Sequence, residues 1–143
     1  MVQYWQELQQ QVHRKAALER KQEALCEQRR KLKQELDAAT QRWQEEQKDV
    51  DKLEGISLAG IFSALSGRKE EQLEKERQEA QEALLQKEAA DSAFQKLEEE
   101  IRKNRDELFR LQGCEIKYQK ALEERPAHLA AMGQDPGFLQ LQQ

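Results

Sequence analysis

Histidine, cysteine and clustered carboxylates are the residues of this chain whose types could support catalysis or metal binding. His13 and His128 are isolated, and neither stands in a metal-ligand spacing such as Glu-x-x-His. The run Glu98-Glu99-Glu100 falls in a helical pattern, where successive side chains diverge by about 100° and do not converge on one substrate. The sequence contains no phosphate-binding glycine loop, nucleophile elbow or zinc motif. We therefore expect no catalytic residue, no cofactor and no metal, and we expect that the protein is not an enzyme.

The two cysteines, Cys26 and Cys114, fit no metal-binding or redox spacing. If the chain folds back near residue 61, Cys26 lies opposite Lys96 and about 27 Å along the axis from Cys114, at ~1.5 Å per residue. That separation is far beyond disulfide reach. The sequence predicts two free thiols.

A basic patch, Arg29-Arg30-Lys31-Leu32-Lys33, is the strongest hint of an acidic partner. Further cations lie upstream, at Arg14, Lys15, Arg20 and Lys21, and glutamates at 19, 23, 27 and 35 lie on the same predicted helix in i, i+4 reach of these cations. The patch also lacks interleaved aromatic residues for base stacking. With a net charge of −4, nucleic acid is an improbable partner, and we interpret the patch as a solvated, salt-bridged face.

The composition indicates long helices rather than an ordinary globular core. Of the 143 residues, 36% are charged and only 6% are aromatic, a profile typical of coiled coils. The segment Met1–Gln11 does not resemble a signal peptide, and no run approaches the ~20 apolar residues that a membrane span requires. The sequence predicts a cytoplasmic protein.

The first predicted arm, residues 1–54, carries apolar residues at seven-residue spacing in two series three residues apart, which is the a/d pattern of a coiled coil. The two series are Leu18, Leu25, Leu32, Ala39, Leu53 and Leu8, Leu36, Trp43, Val50. Lys15, Gln22 and Arg29 interrupt the second series, and we expect the seam to be weakest there.

The second predicted arm, residues 68–125, repeats this pattern. Its two series are Leu73, Ala80, Phe94, Ile101, Leu108, Leu122 and Ala83, Ala90, Leu97, Leu111, Tyr118. Lys87 and Glu115 interrupt the first series, and Glu76 and Asn104 interrupt the second. A strict period of seven in both arms predicts left-handed supercoiling.

These patterns predict an all-α fold, a long antiparallel two-helix coiled-coil hairpin. Folding about residue 61 places Trp43 near Ala80 and Ala83 and places Leu25 near Leu97. It also places Phe94 across from Arg29, a cation that could stack on the ring. Two helices cover little of each other, so we expect hairpins to associate into a multi-helix bundle. The alternative is two independent helices that pair with other chains.

The bend, residues 55–67, is uncharged and bounded by Gly55 and Gly67. Ser57 can cap a short helix whose apolar face consists of Leu58, Ile61, Phe62 and Leu65. That face either caps the bundle, mediates self-association, or contacts a membrane or a foreign partner. Few cations lie nearby, so a membrane contact here would be weak.

The bend resembles that of a group of uncharacterised bacterial coiled-coil hairpin proteins. The resemblance rests on Leu53-Glu54-Gly55-Ile56-Ser57-Leu58, then Ile61-Phe62, then Gly67 and Lys69-Glu70-Glu71, and then Leu73-Glu74-Lys75-Glu76. It covers about 25 residues and implies a bacterial source and a hairpin. It implies no activity.

Pro126 is expected to end the second arm, because proline removes a main-chain donor. The tail, residues 126–143, is predicted to form a short helix to Met132 or to be disordered. For the whole chain, the sequence favours a non-enzymatic structural or scaffold protein that self-associates through its arms. A peripheral membrane-contacting protein and a partner-specific coiled-coil adaptor are the alternatives.

Overall fold

The protein is all-α. The computed structural model describes the backbone of residues 2–58 and 67–132, and the side chains of residues 3–56 and 67–124. Its helices are α1 (Val2–Leu58), α2 (Arg68–Arg110) and α3 (Cys114–Met132), and the described residues contain no strand. Alanine, leucine, glutamine and charged residues with good helix propensity fill α1 and α2, so long uninterrupted helices are expected.

Helix α1 is longer than predicted. It continues through Gly55 and Ser57 to Leu58, so the prediction that the first arm ends at residue 54 was wrong, and Ser57 is not the cap of a separate helix. A glycine in a helix costs only about 1 kcal/mol relative to alanine, which a long paired helix tolerates. The rest of the predicted apolar face, Ile61, Phe62 and Leu65, lies outside the described residues, as does the side chain of Leu58.

Helix α2 begins where the sequence predicts, at Arg68. The Gly67 carbonyl accepts a hydrogen bond from the Glu71 N–H at 3.1 Å, which starts the helical ladder. Glu70 and Glu71 lie in the first turn, where carboxylates interact favourably with the helix dipole.

The second arm is not one helix. A turn at residues 111–113 separates α2 from α3, and Gly113 adopts a left-handed conformation with φ +80°. The Leu111 N–H donates to both the Glu107 and Leu108 carbonyls. Such a shared hydrogen bond is common where the last turn of an α-helix tightens toward 3₁₀ geometry. The predicted continuous arm over 68–125 is therefore interrupted. The cause is Gly113, since glycine readily adopts the left-handed conformation in which helices commonly end.

Helix α3 passes through Pro126 and ends at Met132. The expectation that Pro126 terminates a helix was wrong. Proline removes one main-chain hydrogen bond and bends a helix, but a helix can continue beyond it.

The described residues form two compact units. The terminal unit combines α1 up to Glu23 with the chain from Arg102 onward, and the central unit comprises residues from Ala24 to Ile101. Leu8, Leu18, Cys114 and Ala121 form the buried apolar set of the terminal unit. The corresponding set of the central unit is Leu25, Val50, Leu73, Ala80, Ala83, Leu97 and Ile101.

Candidate functional site: the seam between the helices

None of the predicted seam residues is fully exposed. Six are buried and six are half-buried. The buried six are Leu18, Leu25, Val50, Leu73, Leu97 and Ile101. The half-buried six are Leu32, Leu36, Trp43, Phe94, Leu108 and Leu111. The structure thus places the periodic positions of both arms toward a neighbouring helix, with an apolar surface that remains partly open.

An aliphatic cluster lies in the central unit. Leu25, Leu97 and Ile101 pack together, and Leu32 packs against them. The prediction that Leu25 lies near Leu97 agrees with this cluster. Fully burying a side chain of this kind contributes about 1.5–3 kcal/mol, so these residues are a main source of helix pairing.

Trp43 packs where the opposing residues are small. It lines a shallow groove together with Ala80, Val50 and Arg77, and Ala80 and Ala83 are buried. The Lys87 Nζ lies 4.9 Å from the centroid of the Trp43 ring, within cation–π distance. Lys87 interrupts the heptad series of the second arm. It nevertheless contributes to the packing of the seam through this cation–π contact with the Trp43 indole.

The cation above Phe94 differs from the predicted one. The Lys33 Nζ lies 5.9 Å from the Phe94 ring centroid, whereas Arg29 forms an ion pair with Glu98 at 3.5 Å. The prediction that Arg29 stacks on Phe94 was wrong by one helical turn. Arg29 has a carboxylate within reach, and a carboxylate attracts a guanidinium more strongly than a ring does.

Polar interruptions of the two arms pair with each other in the terminal unit. The Asn104 amide nitrogen donates to Gln22 Oε1 at 2.6 Å and to the Leu18 carbonyl at 3.0 Å. Asn104 is buried, and its Oδ1 has no hydrogen-bond partner among the described residues. A buried amide in an apolar seam typically specifies alignment at a cost in stability.

A second pair of interruptions is ionic. The Lys15 Nζ donates to a Glu115 carboxylate oxygen at 2.8 Å, and Arg14 forms a neighbouring ion pair with Glu107 at 3.0 Å. The hydrogen bond from Lys15 lowers the pKa of Glu115, and the same bond raises the pKa of Lys15. Both members are charged at neutral pH and complement each other.

Three carboxylates converge in the central unit. Oxygens of Glu46, Asp49 and Glu76 lie within 4.8 Å of one another. Partial burial is the main cause that raises the pKa of Glu76, followed by the negative charges of Glu79, Asp49 and Glu46. The expectation of no metal site stays a prediction, because three acidic groups alone occur commonly on surfaces without a cation.

The basic patch is engaged in ion pairs. Arg30 pairs with Glu27 at 2.7 Å, Lys33 with Asp37 at 3.2 Å, and Arg29 with Glu98. The hydrogen bond between Arg30 and Glu27 lowers the pKa of the Glu27 carboxyl. This arrangement is the salt-bridged face that the sequence predicts.

Cys114 and Ala121 are core residues that sequence reasoning missed. Both are buried, at 2% and 4% exposure, although neither belongs to a predicted heptad series. The turn at Gly113 changes the helical phase, so positions counted in sevens from α2 do not apply to α3. The signal that could have revealed this change is the Gln112-Gly113 pair, since glycine commonly follows a helix end. Cys26 and Cys114 are both free thiols.

Four large apolar side chains are exposed among the described residues. They are Tyr4, Leu85, Phe109 and Ile116, at 54%, 56%, 75% and 62%. Leu85, Phe109 and Ile116 were not singled out from the sequence as interaction residues. In the part of the chain that the structure describes, no helix has a long enough apolar stretch to cross a bilayer.

Comparison with protein-family models, with curated proteins and with solved structures found no match for this chain.

Proposed function

We propose that this chain is an antiparallel coiled-coil hairpin that acts as a non-enzymatic structural or scaffold protein and self-associates through its arms. Support for the hairpin comes from the order of contacts within each unit. In the terminal unit Trp5 donates to the Ala121 carbonyl, Arg14 pairs with Glu107, and Gln22 pairs with Asn104. The partner number falls as the α1 number rises, which is the order expected for segments that run in opposite directions.

The central unit follows the same order. Arg29 contacts Glu98, Arg42 donates to Gln86, and Arg77 contacts Glu54. These pairs connect side chains of α1 and α2 along the unit, on the flanks of the apolar seam. Such flanking charges set partner choice and orientation in coiled coils.

The observation that carries self-association is the partial exposure of the seam. Leu36, Trp43 and Phe94 stay partly exposed after the described helices have paired. A second hairpin packed on this side would cover them and complete a four-helix bundle, the commoner stable arrangement. The side chains of the predicted docking or capping face, Leu58, Ile61, Phe62 and Leu65, lie outside the described residues, so the proposal rests on the arms.

A disulfide test addresses the hairpin. Gln22→Cys and Asn104→Cys, in a Cys26→Ser and Cys114→Ala background, are expected to form a disulfide within one chain. Mass spectrometry and non-reducing gel mobility distinguish it from a link between two chains. Exclusively intermolecular links would show that the arms pair with other chains instead.

Sedimentation analysis addresses self-association. The wild-type chain is expected to form an oligomer, and Leu36→Gln is expected to weaken it because Leu36 lies on the open seam. Ala38→Gln, at an exposed position of the same helix, is the matched control. A wild-type chain that stays monomeric over a wide range of concentrations would contradict the proposed assembly.

A further inference from the structure

Two exposed apolar side chains flank the turn at residues 111–113. Phe109 lies in the last turn of α2 and is 75% exposed, and Ile116 lies in the first turn of α3 and is 62% exposed. A phenylalanine that exposes three quarters of its surface loses the stabilisation that burial would give it. Exposed side chains of this size are candidates for contact with another molecule.

Cations surround these two side chains. Arg105 precedes Phe109 by four residues and Lys120 follows Ile116 by four, so each lies on the same helical face as its apolar neighbour. Arg105, Lys117 and Lys120 form no ion pair with another described residue. Residues 102–120 contain six basic and three acidic side chains, in a chain whose net charge is −4. We call Phe109, Ile116, Arg105 and Lys120 the basic apolar surface.

The acidic side chains of this region are already neutralised. Glu107 pairs with Arg14, Glu115 with Lys15, and Asp106 with Arg102. Among residues 102–120, the charge that remains unpaired is therefore positive. A partner for this surface must supply negative charge and an apolar contact.

The chain carries a surface with those properties. Leu85 is 56% exposed on α2, and the exposed carboxylates Glu82 and Glu88 lie three residues before and after it, on the same helical face. Neither carboxylate forms an ion pair with another described residue. Residues 70–91 contain eight acidic and three basic side chains. We call Leu85, Glu82 and Glu88 the acidic apolar surface.

We infer that the basic apolar surface of one copy of this chain docks on the acidic apolar surface of a second copy. Phe109 and Ile116 pack against Leu85, and Arg105 and Lys120 pair with Glu82 and Glu88. The two surfaces match in charge sign and each contains exposed apolar groups. The contact joins two different surfaces, so each copy that receives a neighbour still presents a free surface, and assembly continues into a ring or an open filament.

This inference rests on the proposed function, since it supplies a way for hairpins to join beyond the seam. It uses different residues. Leu85 and Phe109 belong to neither heptad series of α2, whereas Leu36 and Trp43 belong to the seam. The two modes of association are therefore separable by mutation.

Sedimentation velocity of the full chain tests the contact. Leu85→Gln alone, and Phe109→Gln with Ile116→Gln, are each expected to weaken copy-to-copy association about tenfold or more, while circular dichroism shows unchanged helix content. Tyr4→Gln is the matched control, because Tyr4 is similarly exposed but belongs to neither surface. High salt is expected to weaken the wild-type association, because exposed ion pairs are screened.

A mixing experiment decides whether the contact joins unlike surfaces. The Leu85→Gln chain keeps a normal basic apolar surface, and the Phe109→Gln, Ile116→Gln chain keeps a normal acidic one. Mixed together in a Leu36→Gln background, which weakens association through the seam, they are expected to form one-to-one complexes that neither forms alone. Normal association of the Leu85→Gln chain, or no complex in the mixture, would overturn the inference.

Two further measurements complete the test. If Leu36→Gln weakens association while both surface variants associate normally, the seam assembly stands and the copy-to-copy contact is wrong. Vesicles of phosphatidylcholine with phosphatidylserine test a lipid surface as the occupant. Binding to them that requires Phe109 and Arg105, without self-association through Leu85, would also overturn the inference.

Discussion

Gln22 and Asn104 meet side chain to side chain in the terminal unit, with the Asn104 amide nitrogen donating to Gln22 Oε1 at 2.6 Å. Both residues interrupt an otherwise apolar heptad series, one in each half of the chain. Their pairing means that the two interruptions occur at the same level of the seam. A shift of one heptad would place Gln22 opposite Leu97 or Leu111, and Asn104 opposite Lys15 or Arg29. The hydrogen bond between the two amides would be lost, and a buried polar group left unsatisfied costs about 1–3 kcal/mol.

Asn104→Leu is expected to stabilise the protein by about 1 kcal/mol, because it removes a buried amide whose Oδ1 lacks a partner. The same change is expected to relax the alignment of the helices. Urea unfolding measures the first effect. Cysteine pairs placed in native and heptad-shifted positions measure the second, and an unchanged preference for the native pair would contradict the alignment role.

The Lys15–Glu115 pair predicts a loss of stability in acid. The pKa of Glu115 is lowered by its hydrogen bond from Lys15, so the folded state favours the carboxylate. The stability that the Lys15–Glu115 pair contributes is present above the ordinary glutamate pKa. It is lost as the pH falls through the lowered pKa of Glu115. Glu115→Gln is expected to reduce stability at neutral pH and to have no effect in strong acid. Thermal unfolding at several pH values tests this, with Glu123→Gln, an exposed residue of the same helix, as the control.

Glu76 predicts the opposite dependence on pH. Its pKa is raised by partial burial and by neighbouring carboxylates, so the folded state disfavours its charged form. Glu76 contributes most favourably to the stability of the fold below the ordinary glutamate pKa. That contribution is lost as the pH rises through the raised pKa of Glu76. Glu76→Gln is expected to raise the melting temperature at neutral pH, with a gain that disappears in acid. Glu74→Gln, at an exposed position outside the cluster, should show no such gain, and equal gains in both variants would contradict the role of the cluster.

Gly113 and Gly55 predict opposite effects of the same substitution. Gly113 has φ +80°, while an added Cβ meets no atom within 4 Å at either position. Gly113→Ala is therefore expected to destabilise by about 1 kcal/mol through backbone strain alone. Gly55→Ala, inside α1, is expected to stabilise by about 0.4–1 kcal/mol. Chemical denaturation measures the change in the free energy of unfolding for each variant. Changes of the same sign in both variants would contradict the backbone conformations assigned to the two glycines.

Ile101 is 1% exposed and packs with Leu25 and Leu97. Ile101→Ala is expected to cost about 2–5 kcal/mol, because it removes buried methyl groups and leaves a cavity. Gln95→Ala is the control at an exposed position of α2 and is expected to change stability by less than about 0.5 kcal/mol. Denaturation curves compare the two, and a similar loss in both would show that the cluster is not the stabilising centre.

Heptad periodicity was sufficient to predict the helical class and the positions that face a neighbouring helix. Leu25, Leu97 and Ile101 each belong to a seven-residue series, and they pack in one cluster. Such spacing has one physical cause, a helix face that must be covered, so it is easily recognised. The small residues opposite Trp43 were predictable for the same reason.

Local backbone geometry limited the rest of the prediction. The interruption of the first series at Glu115 looks like the earlier one at Lys87, where the helix continues, so it did not mark the turn at residues 111–113. The burial of Cys114 and Ala121 therefore did not follow from counting. At Pro126 the sequence predicted a helix end that the structure does not have, because proline weakens a helix without always terminating it. Lys33 rather than Arg29 lies over Phe94, since the choice between two flexible cations one turn apart depends on neighbouring carboxylates such as Glu98.

The turn at Gly113 also determines where this chain tolerates changes in length. Within α2, adding one residue rotates everything that follows by about 100°, which would turn Leu97 and Ile101 away from Leu25. Between Arg110 and Cys114 the helix is already interrupted, and Gly113 has open space around it. Relatives of this protein are therefore expected to gain or lose residues at 111–113 and to keep the length of α2 constant.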